Sequence, residues 1–355
     1  MILPTTHTSA VLLLLVSFLC LGSWINTFKL AGPRWRFELY SIDFAVGAAL
    51  LSIIAAFTLG TLGSDLAFSD RLLVAGRASQ AFVLAAGILF NLGNMLLLAA
   101  VSLLGVSGAF LLSIGSALVI SSLFYFPAPN TPILLSGIVL VLLAVLLDIA
   151  ACRMREAAQL ATGSTAGVQY GVKVAAKPGL RVPPKPAPRK TGKGIFIALL
   201  SGAMLGFFYP IGVKGMTGDL ALGPYAGMLM FSVGILISTV LFGVYFLKIA
   251  IEGEPLSVSA YLQGKAPQHF LGLAGGALWA TGALAALLAV AIPAQAGVQG
   301  STKLFAPLAS VLLAVACGVF VWKEFQATSK AKLSLGLAAA LFACGLALIG
   351  IGVSS

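Results

Sequence analysis

Apolar stretches of 18 or more residues recur along the whole chain, each long enough to cross a hydrocarbon core about 30 Å thick as a helix. Ten such spans are predicted, over 10–30, 44–62, 80–101, 105–125, 132–151, 194–213, 223–247, 268–292, 299–321 and 334–353. Short turns join the third to the fourth and the eighth to the ninth. The segment FPAPNTP joins the fourth to the fifth, where proline cannot continue a helix. A closed β-barrel would show short alternating segments instead, and these are absent.

One stretch breaks the pattern. Residues 152–193 are polar, contain VPPKPAP, and carry Lys or Arg at 153, 155, 173, 177, 181, 185, 189, 190 and 193. Such a composition buries too little apolar surface to offset its chain entropy, so a mobile linker is expected. It divides the helices five and five. The expected organisation is a first five-helix repeat over 1–151, a basic Pro-rich cytoplasmic linker over 152–193, and a second five-helix repeat over 194–355.

Composition sharpens this to a membrane protein. The 355 residues are 60% hydrophobic and 9% charged, whereas a soluble domain keeps about a quarter of its residues charged. The lipid bilayer is therefore the expected solvent. The net charge of +11 does not form a basic face for nucleic acid, because the cations sit between apolar spans and mostly in the linker. With alternating loops, seventeen Lys and Arg fall on the linker's side and four (Arg71, Arg77, Lys214 and Lys303) on the other. That bias makes the linker side cytoplasmic, with both termini facing out. The expected location is the inner (plasma) membrane of a bacterium. The run from Val11 to Leu21 lacks a basic leader and a cleavage site, and reads as an uncleaved first helix. Cys20, Cys152, Cys317 and Cys344 are scattered, which predicts neither disulfides nor a metal site. No cofactor is expected.

The two halves show internal similarity. Gly87-Ile-Leu-Phe90-Asn-Leu-Gly93 matches Gly276-Ala-Leu-Trp279-Ala-Thr-Gly282 as G-x-L-aromatic-x-x-G, at an offset of 189. Gly105-Val-Ser-Gly108 opens the fourth span and Gly297-Val-Gln-Gly300 the ninth, at an offset of 192. GSWINTFK from Gly22 to Lys29 parallels GFFYPIGVK from Gly206 to Lys214. Five helices is an odd number, so the second copy is inserted upside down. An all-α membrane protein of ten transmembrane helices, built as two inverted five-helix repeats, is the expected fold. Glycine-aromatic patterns also recur in ordinary helix bundles, where small residues let helices approach closely.

Several of these segments carry a family likeness. GSWINTFK, WRFELYSIDFAVG, GILFNLGNMLLLAAV and GVQGSTKLFAPLASVLLAVACGVFVWKEF resemble the drug/metabolite transporter superfamily. Within it, the likeness is to the branch of ureide permeases and bacterial glucose/ribose and rhamnose uptake proteins, over nearly the whole chain. The resemblance implies a carrier for small solutes. The linker is similar to the cytoplasmic loop of ureide permeases, where a phosphate-loop-like motif is expected. In this chain RKTGKG lacks the first glycine, since Ala187 stands five residues before Gly192, and Gly194 offers no hydroxyl for a metal. Nucleotide binding is therefore not supported.

Polar residues inside a membrane span are costly and carry the functional reading. Asn91 and Asn94 lie three apart on one face of the third helix, with amides that both donate and accept. They suit a sugar or ureide-like solute, with Phe90 and Trp279 as an aromatic platform. Hydrogen bonding between helices is the alternative. Thr281, Gln299 and Lys303 add donors near the opening of the ninth span, where Lys303 either finds a partner or snorkels. Trp24, Asn26 and Lys29 in the first span have Tyr209 and Lys214 as counterparts in the sixth. These are candidates for substrate contact and paired gates, or for interfacial anchors. Asp148 is the candidate coupling residue, and sits either within the membrane or at its edge.

A secondary carrier moving a small polar solute by alternating access is the leading reading. Export of drugs or metabolites by the same superfamily is the alternative. A membrane-embedded enzyme would need clustered His, Asp or metal ligands, and two histidines make a poor case. The expected partners are a small-molecule substrate, the bilayer and a coupling proton, with a homodimer allowed.

Overall fold

The structure, a computed structural model, describes residues 1–3, 5–161, 191–292, 306–326 and 328–354. Among these, every regular element is a helix. Nine helices among the described residues are long and apolar enough to cross a membrane: α1 His7–Ala31, α2 Phe37–Phe57, α3 Arg77–Leu104, α4 Val106–Leu123, α5 Thr131–Ala161, α6 Thr191–Met216, α7 Pro224–Lys248, α8 Ala266–Ala291 and α10, which spans Ser329–Ser354. Between the last two lies the shorter α9, Pro307–Val321. Large apolar side chains such as Phe57, Leu146, Phe196, Val240 and Leu241 stand exposed on the outer faces. The protein is an all-α, multi-pass membrane protein, because only lipid makes such a surface favourable.

Three boundaries differ from the sequence expectation. α2 starts at Phe37 and not 44, because Glu38 in its first turn is buried against Arg36 and so continues the helix. α5 runs ten residues past 151, with Cys152 and Arg155 buried, so the polar segment begins as helix. There the Arg155 guanidinium donates to the Leu104 carbonyl at 2.5 Å and lies 4.5 Å from the Phe325 ring. The rest of the proposed linker, 162–190, lies outside the described residues. So does the start of the predicted ninth span, 299–305, with Gln299 and Lys303. A 3-10 turn over Ala306–Ala309 leads into α9, which ends in a π segment over Cys317–Val321.

The helices pack α3 on α6 and α7, α8 on α1 and α2, α4 on α6, α9 on α1, α2 on α7, and α5 on α10. Glycines set the closest crossings. A Cβ on Gly87 or Gly234 would strike the Phe231 or Leu84 carbonyl where α3 meets α7. A Cβ on Gly276 or Gly47 would strike the Phe44 or Leu273 carbonyl where α8 meets α2. Small residues bring backbones together in this way when no hydrophobic force separates helix from lipid. Buried hydroxyls add cross-links: Ser52 to Ser232 at 2.7 Å and Ser201 to the Gly93 carbonyl at 2.8 Å.

Candidate functional site

The middle of the bundle is aromatic. Phe90 of α3 and Trp279 of α8 stack with centroids 4.5 Å apart and planes 29° apart. Phe231 of α7 lies 5.4 Å from Phe90, and Phe44 of α2 lies 5.8 Å from Trp279. Trp24 of α1 then meets Phe44 at 5.1 Å, while Phe208 of α6 meets Phe231 at 5.9 Å. Six rings from six helices thus form one buried or half-buried cluster, in the offset and tilted geometries that ring quadrupoles favour.

The two asparagines of α3 are both buried but differ in use. The Asn91 amide donates to Ser238 Oγ at 2.9 Å, Thr239 Oγ1 at 3.0 Å and the Ile235 carbonyl at 3.3 Å, all on α7. It joins two helices. Asn94 Nδ2, by contrast, has no hydrogen-bond partner among the described residues. Losing the Asn91 amide should cost about 0.6–1.7 kcal/mol, the span measured for hydrogen bonds between membrane helices. Thermal unfolding of Asn91→Ala in detergent checks this. Among the described residues, Thr281 bonds the Ala277 carbonyl of its own helix, at 2.8 Å, and no other group.

At one end of the bundle the polar groups interlock. Lys29 Nζ meets Glu324 Oε1 at 2.9 Å, with both side chains almost fully buried. The Glu324 carboxylate also accepts from the Val106 and Ser107 backbone N–H groups and the Ser107 hydroxyl, each at 2.9 Å. Glu324 therefore caps the N-terminus of α4, where unpaired N–H groups and the helix dipole favour an anion. Gly105 opens that helix at φ +88°, a conformation glycine adopts without penalty. Trp322 Nε1 donates to Asn26 Oδ1 at 2.7 Å, which ties the end of α9 to α1. Beside this lock is a cavity of about 280 Å³ lined by Phe28, Lys29, Trp35, Arg36, Ser102 and Glu252, among others.

A second cluster lies at the same end. His269 Nδ1 of α8 lies 3.0 and 3.1 Å from the two Asp43 oxygens of α2. The Tyr261 hydroxyl, from the loop between α7 and α8, donates to Asp43 Oδ1 at 2.5 Å. Burial, with the Asp43 carboxylate alongside, pushes the Tyr261 phenol above its ordinary value, so it remains a donor. Trp35 packs edge-on against His269 at 4.7 Å.

The remaining sequence candidates are separate from these clusters. Asp148 of α5 is fully buried facing Gly108 of α4, with the Cys152 thiol 4.0 Å from its carboxylate. Lys214 is exposed at the opposite end, 5.8 Å from the Phe82 ring. Tyr209 bonds Tyr125 near there. No motif in the sequence marks Asp43, His269 or Glu324, because the Asp43–His269 and Lys29–Glu324 pairs each join positions more than 200 residues apart.

No family model matches the chain, and no curated protein matches it. One solved structure similar to it is described only as "Crystal structure of protein", at 16% identity over 96% of each chain with a TM-score of 0.48. A likeness of that size carries no argument. What the helices themselves define is a multi-pass membrane protein with a closed aromatic centre and an ionic lock at one end.

Proposed function

We propose that the chain is a secondary carrier of the drug/metabolite transporter type, moving a small neutral polar solute such as a sugar or ureide by alternating access. Its ten helices would form two inverted repeats, with α1–α5 equivalent to α6–α10. The observation that carries this reading is the Phe90–Trp279 stack, because these are the repeat mates matched in sequence and they meet face to face at the centre. Their neighbours follow the same exchange. Phe44 and Phe231 are 187 positions apart, as are the crossing glycines Gly47 and Gly234, while Gly87 and Gly276 are 189 apart. Exchanging halves also turns the packing of α3 on α6 and α7 into that of α8 on α1 and α2. Such pseudo-symmetry gives two exchangeable conformations, the physical basis of alternating access. The interlocked Lys29 end would be the closed cytoplasmic side.

Uptake of labelled sugars and ureides into proteoliposomes tests the reading. Trp279→Ala and Asn94→Ala should each lower transport about tenfold, equivalent to about 1.4 kcal/mol of lost binding. Lys214→Ala should leave it within about twofold, since this exposed amine makes no ion pair among the described residues. If no panel member is carried, the reading falls. Topology has its own check. In a background free of the natural cysteines, a cysteine at Ser329 should label from the cytoplasm and one at Thr6 from outside.

A further inference from the structure

We propose that Asp43 and His269 form a proton-binding site, enclosed by Tyr261 and Trp35, whose protonation holds the start of α8 and the α7–α8 loop against α2. Its place in a transport cycle rests on the carrier reading above; its existence does not.

The geometry is that of a pair sharing one exchangeable proton. Asp43 is 3% exposed at its side chain while His269 is 26% exposed, so the imidazole is the member that solvent reaches. Among the described residues, no lysine or arginine lies within ion-pair distance of Asp43. Each packed element accounts for its own charges. On α2, Glu38 is taken by Arg36, and the Tyr40 hydroxyl bonds Thr27 of α1 at 2.7 Å. At the N-cap of α8, Lys265 is exposed one turn before His269. The loop before α8 contributes Tyr261, and the loop before α2 contributes Trp35. With neutral imidazole the pair carries one buried negative charge. With imidazolium it is neutral and joined by a stronger, charge-assisted hydrogen bond. Uptake adds one proton to the His269 ring and neither makes nor breaks another covalent bond. Histidine is the side chain whose charge changes near neutral pH.

The position links this proton to the centre of the bundle. A Cβ on Gly272 of α8 would strike Asp43, so α2 and α8 are in backbone-scale contact at the pair. The next residue, Phe44, reaches Trp24 and Trp279 in the aromatic cluster. Strengthening or loosening the Asp43–His269 contact therefore acts on the helix crossing that holds the central rings.

The test needs no substrate. Purified protein in detergent, moved from about pH 8 to about pH 5, should take up one proton more than His269→Gln. Tryptophan emission should change over the same interval, because a cation forms against the Trp35 ring. Trp35→Phe, which keeps both titrating groups, should retain the proton uptake and reduce that emission change. Equal proton uptake by wild type and His269→Gln overturns the site. In proteoliposomes, His269→Gln should keep solute exchange but lose accumulation driven by a pH gradient. If no panel solute is carried while the proton difference stands, the carrier reading fails and the proton site remains.

Discussion

Replacing Glu324 with alanine should lower the unfolding free energy by about 3–5 kcal/mol, the usual loss when one member of a buried ion pair is removed. The carboxylate gathers four interactions within one small volume: the Lys29 ammonium, two backbone N–H groups of α4 and the Ser107 hydroxyl. Alanine takes the carboxylate from Lys29 and uncaps the first turn of α4. A buried donor left unsatisfied costs more than its bond contributed. Lys29→Met should be similarly harmful. The double variant, Lys29→Met with Glu324→Ala, should lose less than the sum by about 1 kcal/mol or more, because the second change removes a charge whose partner is already gone. Thermal unfolding in detergent measures all three. Single variants within about 0.5 kcal/mol of wild type would show that the lock adds no stability. If the lock also closes the cytoplasmic side, a cysteine introduced at Ser102 in the adjoining cavity should label faster when the lock is broken.

The second large effect concerns the glycine crossings. Gly276→Ala and Gly87→Ala should each destabilise the protein by about 1–3 kcal/mol or more, as overpacking does. In both cases the added methyl faces a backbone carbonyl, which cannot rotate aside as a side chain could. Gly243 and Gly336 are helical glycines with open space where a Cβ would sit. Alanine there should be neutral or stabilising by up to about 1 kcal/mol, since it restricts the unfolded backbone and favours helix. The four variants form one series, read by melting temperature in detergent. Equal behaviour across the series would mean that the α3–α7 and α2–α8 crossings are looser than the structure has them.

The helical spans were legible in the sequence because an apolar run of twenty residues is a local property that needs no partner. Its ends were less legible. The second span was expected to start at 44, and Glu38 proved to be a buried member of the first turn of α2. Arg155 looked like linker and proved to pack under the α3–α4 turn. A charge near a span end reads the same whether it anchors at the surface or is buried in a pair, and only packing separates the two.

The candidate site divides along the same line. Phe90 and Trp279 could be matched from sequence, because repetition of a motif at a fixed offset is visible without coordinates. Asn91 and Asn94 could not be told apart, since they share residue type, helix and face; α7 takes the amide of one and leaves that of the other without a partner among the described residues. Composition and pattern determined the solvent, placed the nine long apolar helices and matched Phe90 with Trp279. Tertiary structure alone decided that Lys29 meets Glu324 and Asp43 meets His269. Those contacts join distant helices, and their energies depend on burial that no local stretch of sequence specifies.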